Sequence, residues 1–300
     1  MNSPLFTSLL AATSRRSALQ TLSALAMAGS PLRLMAAPSA PRLITVGGGI
    51  TEVVYALGAQ DQLVGTDTTS LYPSAAQATP KVGYMRQLSA EGLLSLRPDA
   101  LIAGTDAGPP VVIDQLRSAG VRVELVVSDH SWDEVRRKIV AVGRASGREA
   151  AARELQARLD ARWQAVTARV QAAKGPGPKI LFVLSHSGSP QVSGEKTAAD
   201  ALIRFIGARN ALGGFQGYRP MTAEAMAQAA PDVILTTTQG IEAIGGEEKF
   251  WQRPELALTP AFQRRAPART LVHLDALELL GFGPRLPDVV ERLHNQVVRG

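Results

Sequence analysis

From Pro41 onward, short apolar runs rich in β-branched residues alternate with stretches of helical period. Arg42-Leu43-Ile44-Thr45-Val46 reads as a strand that ends at Gly47-Gly48-Gly49, and Thr51 to Leu57 continues as a helix. The second half opens the same way: Lys179-Ile180-Leu181-Phe182-Val183-Leu184 is a buried-strand pattern, followed by the turn Ser185-His186-Ser187-Gly188. Each half then reaches a strand just after Pro-Asp, at residues 100–103 and 233–236, and a further one at 121–127 and 270–274. Continuous apolar strands separated by helices predict parallel sheets covered on both faces. The predicted fold class is α/β, with two similar lobes built on central, mostly parallel sheets.

One long rigid α-helix is expected to join them. Residues 149–174 contain neither Gly nor Pro, and Leu155, Leu159, Trp163, Val166 and Val170 form a single stripe. Glu149–Arg153 and Glu154–Arg158 have the spacing of supporting ion pairs, and Gly175-Pro176-Gly177-Pro178 ends the segment. About 24 residues at 1.5 Å each give a strut of about 36 Å. Such a strut predicts small lobe movements. The expected organisation is an export signal over 1–40, an N-terminal lobe over 41–148, the connecting helix over 149–175 and a C-terminal lobe over 176–300.

The two halves also share a phrase. Gly83-Tyr84-Met85-Arg86-Gln87-Leu88-Ser89-Ala90-Glu91 is echoed by Gly217-Tyr218-Arg219-Pro220-Met221-Thr222-Ala223-Glu224, and the same interval then separates Glu91 from Pro98 and Glu224 from Pro231. The repeat is read as an internal duplication. Ser89 and Thr222 are placed to cap helices, with Glu91 and Glu224 in the first turn, where a carboxylate adds roughly 0.3–1 kcal/mol through the helix dipole.

Composition narrows the class. Apolar residues make up 45% of the chain and charged residues 19%, as in a globular protein. The absence of cysteine excludes disulfides, zinc–thiolate sites and lipid attachment through a thiol. The formal charge of +6 falls to +3 once Arg15, Arg16 and Arg33 are set aside with the first forty residues. That segment has paired arginines, a short apolar run and a small-residue stretch, the layout of an export signal, and Ser14-Arg15-Arg16 resembles a twin-arginine type. The mature protein is expected to be periplasmic, soluble and monomeric. No basic stripe suggests nucleic acid. Gly47-Gly48-Gly49 does not continue as a dinucleotide fingerprint, no nucleophile with an activating base is apparent, and the chain is read as a binder rather than an enzyme.

Several stretches carry a resemblance: TVGGGITEVVYALGAQDQLVGTDTTSLYPSAA, PKVGYMRQLSAEGLLSLRPD, FVLSHSG, TAADALIRFIGARNA, GYRPMTAEAM and LLGFG. They resemble the periplasmic haemin-binding proteins of bacterial haem ABC importers, which belong to the helical-backbone class of substrate-binding proteins. The likeness covers essentially residues 41–298. It implies a carrier that binds ferric haem between its lobes and delivers it to an inner-membrane ABC permease with its ATPase, downstream of an outer-membrane haem receptor system. The alternative within the same architecture is a carrier of an Fe-siderophore, cobalamin or a related iron chelate.

The resemblance assigns Tyr84 as the axial iron ligand. Phenolate is a hard anionic donor suited to Fe(III). A free phenol, with a pKa near ~10, needs the metal and a nearby cation to favour its anion. Arg86 is well placed for that support or for a haem propionate. His186, on the opposite lobe, is a conditional second ligand. Arg219 and Lys196 are candidates for propionates, Lys196 being the better fit to an ordinary surface cation. Tyr72, in Ser70-Leu71-Tyr72-Pro73, competes with Tyr84 but reads more as a packing or gate residue. Met85 and Phe282 fit apolar walls, and His130, His273 and His294 show no ligand spacing. Glu91 and Glu224 correspond to the acids that dock such carriers on arginines of the permease.

Overall fold

An aspartate starts each sheet. In the first half, Asp99 Oδ2 accepts from the backbone N of Arg42 at 2.8 Å; in the second, Asp232 Oδ2 accepts from the backbone N of Lys179 at 3.0 Å. The Pro-Asp dipeptide thus pins the head of the first strand to the head of its neighbour. The computed structural model describes residues 40–185, 190–264 and 270–298. The export-signal expectation lies outside the described residues, and from Ala40 the chain is one compact unit. Among the described residues no helix is long and apolar enough to cross a membrane.

Strands β1 (Leu43–Val46), β2 (Leu63–Thr66), β3 (Ala100–Gly104) and β4 (Arg122–Val126) form a parallel sheet in the order β2-β1-β3-β4. The second half holds β5 (Lys179–Leu184), β6 (Gln191–Ser193), β7 (Arg209–Asn210), β8 (Tyr218–Pro220), β9 (Val233–Thr237) and β10 (Leu271–Leu274). There β10, β9 and β5 run parallel, with β7 beside the start of β5, so β7 takes the place that β2 has in the first sheet. The end of β5 instead pairs antiparallel with β6, which carries β8.

The duplication is visible in detail. Leu93 and Met226, at matched places, are both 0% exposed. The residues before the two prolines, Arg97 and Ala230, both take left-handed backbones, with φ of 47° and 40°. Ser89 and Thr222 cap their helices as expected, accepting from the backbone N of Gly92 and Ala225.

Period-two alternation divides each sheet between two cores. Ile44, Val46, Leu101 and Ala103 pack into a core private to the first lobe, and Leu181, Val183 and Ile234 into one private to the second. The opposite faces, with Leu43, Ile102, Ile180, Phe182 and Leu235 among them, belong to one shared core that runs through both lobes. A chain of rings crosses it. Trp132 stacks on Trp163 at 4.8 Å, Trp163 meets Phe205 edge-on at 4.9 Å, and Phe205 lies 6.2 Å from Phe282.

The connecting helix spans Glu149–Gln171 and carries the expected stripe into this core. It is not a free-standing strut: it packs along the helices Trp132–Ser146 and Leu286–Val297. The Glu149–Arg153 and Glu154–Arg158 pairs do not close to ion-pair distance. Its charges go to neighbouring helices instead, Asp160 to Arg136 at 2.9 Å, Arg162 to Asp288 and Glu291, and Arg169 to Glu291. Partners held on another helix cost less order than two mobile side chains on one exposed face, where a pair contributes only a few tenths of a kcal/mol (about 0.2–0.5).

Polar contacts also close the lobe interface. Arg285 Nε and Nη2 bind the two oxygens of Glu52 at 3.0 and 3.1 Å, and Nη1 reaches Glu278 at 3.2 Å. Burial pushes the Glu52 carboxyl above its ordinary value even against the hydrogen bonds and charge of Arg285. Arg285→Ala strands that carboxylate and is expected to cost ~3–5 kcal/mol in urea unfolding, while Glu52→Gln/Arg285→Met recovers most of the loss.

Acid should loosen the helix packing. The hydrogen bond from Arg162, opposed by burial and helped by the charges of Arg162 and Arg169, holds the Glu291 carboxyl below its usual range. A depressed carboxylate stabilises the fold above its unfolded pKa of 4.5 and loses that contribution as pH falls through the folded value. Glu291→Gln is expected to be about 1 kcal/mol less stable at neutral pH, with a flatter stability profile below pH ~4.5 in chemical denaturation.

Candidate ligand-binding site

Tyr84 follows a glycine that the backbone requires. Gly83 has φ +100°, and its carbonyl accepts from Thr68 N at 3.0 Å, which lays the loop against the end of β2. Tyr84 O then accepts from Gln87 N at 2.8 Å, closing a turn over Met85 and Arg86. Gly108 ties the turn down from the far side, its N donating to Met85 O at 2.9 Å and its O accepting from Leu88 N at 3.0 Å. Inside this turn the side chains two apart meet, and Arg86 Nη1 donates to Tyr84 Oη at 2.8 Å. Arg86 Nη2 donates to Asp106 Oδ2 at 3.2 Å. Tyr84 is 40% exposed, so the phenol oxygen has a cationic neighbour and an open face.

The second copy of the phrase folds differently. Gly217 again supplies a positive φ, +80°, but Tyr218-Arg219-Pro220 is a strand, with Tyr218 opposite Ser193 and Arg219 opposite Val192. Neighbours in a strand point to opposite faces. Arg219 therefore leaves Tyr218 and lies over the Phe215 ring at 4.3 Å from its centroid. The reason lies in the order of residues: arginine is two positions after the tyrosine in the first copy and one after it in the second. Tyr218 keeps 36% of its surface exposed, yet burial holds its phenol above the ordinary value, with Thr197 and the charge of Arg86 pulling the other way. The charge of Arg86, on the first lobe, thus acts on Tyr218 of the second.

Other predicted residues are dispersed. Tyr72, 43% exposed, presents its ring to Arg285, whose Cζ is 3.6 Å from the centroid; the loop of one lobe thus covers the buried ion pair of the interface. Phe282 is 2% exposed in the shared core, and Met85 is partly buried against the core of its own lobe. Lys196 is exposed and has φ 57°. His186 lies outside the described residues. His294 is buried and bonds Ile206 O at 2.8 Å, and His273 sits between Thr238 and Glu247 at 3.1 and 3.0 Å. Among the described residues no group of three or more His, Cys, Asp and Glu could hold a bare metal ion. Two cavities of the second lobe, of 530 and 580 Å³, open beside Trp251 and Phe215 respectively and include neither Tyr84 nor Arg86.

Sequence reasoning missed Asp106 and Ser128, which meet behind Arg86 with Ser128 Oγ donating to Asp106 Oδ1 at 2.9 Å. The signal available was weak: a polar residue just past the end of each of two adjacent parallel strands, where side chains of open α/β sheets converge. Gly47-Gly48-Gly49 also has a role that the sequence left open. A Cβ on Gly49 would stand 2.2 Å from Gly281 O, so the glycine permits the backbone of one lobe to touch that of the other.

Comparison with known proteins agrees with this architecture. The solved periplasmic haem-binding protein BhuT, in complex with two haems, is 47% identical, with 85% of this chain and 97% of that one covered at a TM-score of 0.79. The apo form of the periplasmic haem-binding protein RhuT from Roseiflexus sp. RS-1 is 35% identical over the same shares, also at 0.79. The uncharacterised ABC transporter substrate-binding lipoprotein YvrC of Bacillus subtilis (strain 168) is 29% identical over 211 residues, 69% of this chain and 67% of that protein. The profile described as periplasmic binding protein matches residues 43–266. With two α/β lobes, one connecting helix and a profile match over residues 43–266, this chain belongs to the periplasmic binding protein family.

Proposed function

We propose that this chain is a periplasmic carrier of ferric haem for an inner-membrane ABC importer, and that it is a binder, not an enzyme. The observation that carries the reading is the Arg86–Tyr84 hydrogen bond of 2.8 Å on an exposed loop at the carboxyl edge of the first sheet. Tyrosine oxygen is a hard donor that suits ferric iron, and the guanidinium hydrogen-bonded to it holds that oxygen in place. The haem-bound relative at 47% identity supports the choice of cargo.

In this reading Tyr84 binds the iron, Arg86 steadies its oxygen, and His186 of the second lobe is the conditional second ligand. Arg219 is a candidate partner for a propionate, and Tyr72, whose ring covers Arg285, fits a gate residue. The haem supplies the redox-active metal; the protein supplies an oxygen donor, a cation and a gap between two lobes. The carrier acts as a monomer and receives haem after its passage through the outer membrane by a receptor system upstream.

Delivery would use Glu91 and Glu224. Both are exposed in the first turn of a capped helix, one on each lobe, at matched positions of the duplicated phrase. Two like anions on two like lobes fit a permease with two-fold symmetry, which presents the same basic patch twice.

Absorption titration of the purified protein with haemin is the direct test. Tyr84→Ala is expected to weaken binding at least ~100-fold, about 3 kcal/mol, and to abolish the ligand-to-metal band of a ferric phenolate. Equal haem binding by the variant would overturn the site. Glu91→Lys/Glu224→Lys should leave that titration unchanged while lowering haem-loaded stimulation of the permease ATPase by more than ~10-fold in reconstituted vesicles.

A further inference from the structure

The hydrogen bonding around Arg86 continues past it. Asp106 accepts from Arg86 Nη2 through Oδ2 at 3.2 Å and from Ser128 Oγ through Oδ1 at 2.9 Å. Ser128 is in turn anchored, its backbone N donating to Thr105 Oγ1 at 3.1 Å. The space for this arrangement comes from the last residue of β3. A Cβ on Gly104 would lie 2.5 Å from Asp106 Oδ1 and 2.7 Å from Ser128 Oγ, so only glycine leaves room for the carboxylate and its brace.

Stability does not explain the set. The Arg86 and Asp106 side chains are 57% and 37% exposed, and ion pairs so open to water add little to folding. Geometry does explain it. A free arginine side chain samples many rotamers, whereas a carboxylate that takes one terminal nitrogen fixes the guanidinium plane and leaves the other nitrogen directed at its target. The second lobe supplies the contrast. The residue matching Asp106 there is Gln239, which donates to Asp275 Oδ2 at 2.6 Å and holds no arginine.

We infer that Asp106, braced by Ser128 and given room by Gly104, is a positioning residue of the haem site: it orients the Arg86 guanidinium so that Nη1 meets Tyr84 Oη, and thereby sets how tightly Tyr84 holds ferric haem. The inference rests on Tyr84 as the iron ligand and adds a residue that touches neither iron nor tyrosine. It also accounts for the unequal copies, since only the first tyrosine has an arginine fixed in this way.

Haemin titration of Asp106→Ala, Asp106→Asn, Arg86→Ala, Arg86→Ala/Asp106→Ala and Tyr84→Phe tests it, alongside NMR of the ligand-free protein. Asp106→Ala is expected to weaken haem binding about 10-fold, as loss of an outer partner of a metal ligand does. Asp106→Asn, which keeps an acceptor, should restore most of that loss. In the Arg86→Ala background the Asp106→Ala change should have no further effect, because the aspartate acts only through the arginine. In the ligand-free protein the Arg86 Nε–H order parameter should fall below about 0.6 in Asp106→Ala while the melting temperature stays at the wild-type value. Wild-type affinity in Asp106→Ala, or a loss that persists undiminished in the Arg86→Ala background, overturns the inference. Undiminished haem binding by Tyr84→Phe would instead remove the ligand assignment on which it rests.

Discussion

The junction between the lobes depends on one buried ammonium. Lys138 has three donors, and all three are used: Glu134 Oε1 at 2.6 Å, Gly281 O at 3.0 Å and Phe282 O at 3.0 Å. The two carbonyls belong to the other lobe, in a corner where Phe282 takes φ 47°. That corner can approach only because Gly49 lacks a Cβ, and the Phe282 ring then fills the shared core. A buried cation with every donor satisfied, at a contact with no spare volume, specifies one relative position of the lobes. The aromatic chain from Trp132 to Phe282 and the Glu52–Arg285 pair reinforce the same arrangement from two other sides.

From this junction a continuous set of contacts leads to the loop that carries the tyrosine. The second oxygen of Glu134 accepts from the backbone N of Asp129 at 2.9 Å and of His130 at 2.7 Å. Ser128, the residue before, holds Asp106, which holds Arg86, which meets Tyr84. Each link is short and local, so the phenol oxygen is located by the same helix that seals the lobes together. The position of that oxygen relative to the opposite lobe is therefore fixed by the lobe junction itself.

The duplicated halves show how one phrase can serve two ends. Its helix-capping part behaves alike in both lobes, since a Ser or Thr cap, an acid in the first turn and a Pro-Asp strand start need only local chemistry. Its tyrosine part does not. In the first lobe the residues turn, and a tyrosine and an arginine two apart face each other; in the second they extend along β6, and alternation separates them. The shared part leaves a carboxylate exposed on each lobe, and the divergent part makes one lobe chemically distinct. Matched carboxylates and an unmatched tyrosine–arginine pair thus come from adjacent residues.

Much of the architecture was readable in the residues alone. Continuous apolar runs such as residues 180–184 have no stable place except a sheet covered on both faces. The Gly- and Pro-free stretch from Glu149 has no competing structure, and the caps at Ser89 and Thr222 act within one turn. These are short-range or periodic effects, which a linear string records. The Tyr84–Arg86 pairing was also within reach, because its two partners lie two residues apart. What the string could not record is contact between distant segments: that Asp106 and Ser128 converge behind Arg86, that Gly49 touches Gly281, that Lys138 reaches two carbonyls of the other lobe, and that Arg162 and Arg169 turn to Glu291 rather than to acids on their own helix. Those choices depend on which surfaces the tertiary fold brings within a few ångströms, and hydrogen bonds and steric exclusion act only at that range.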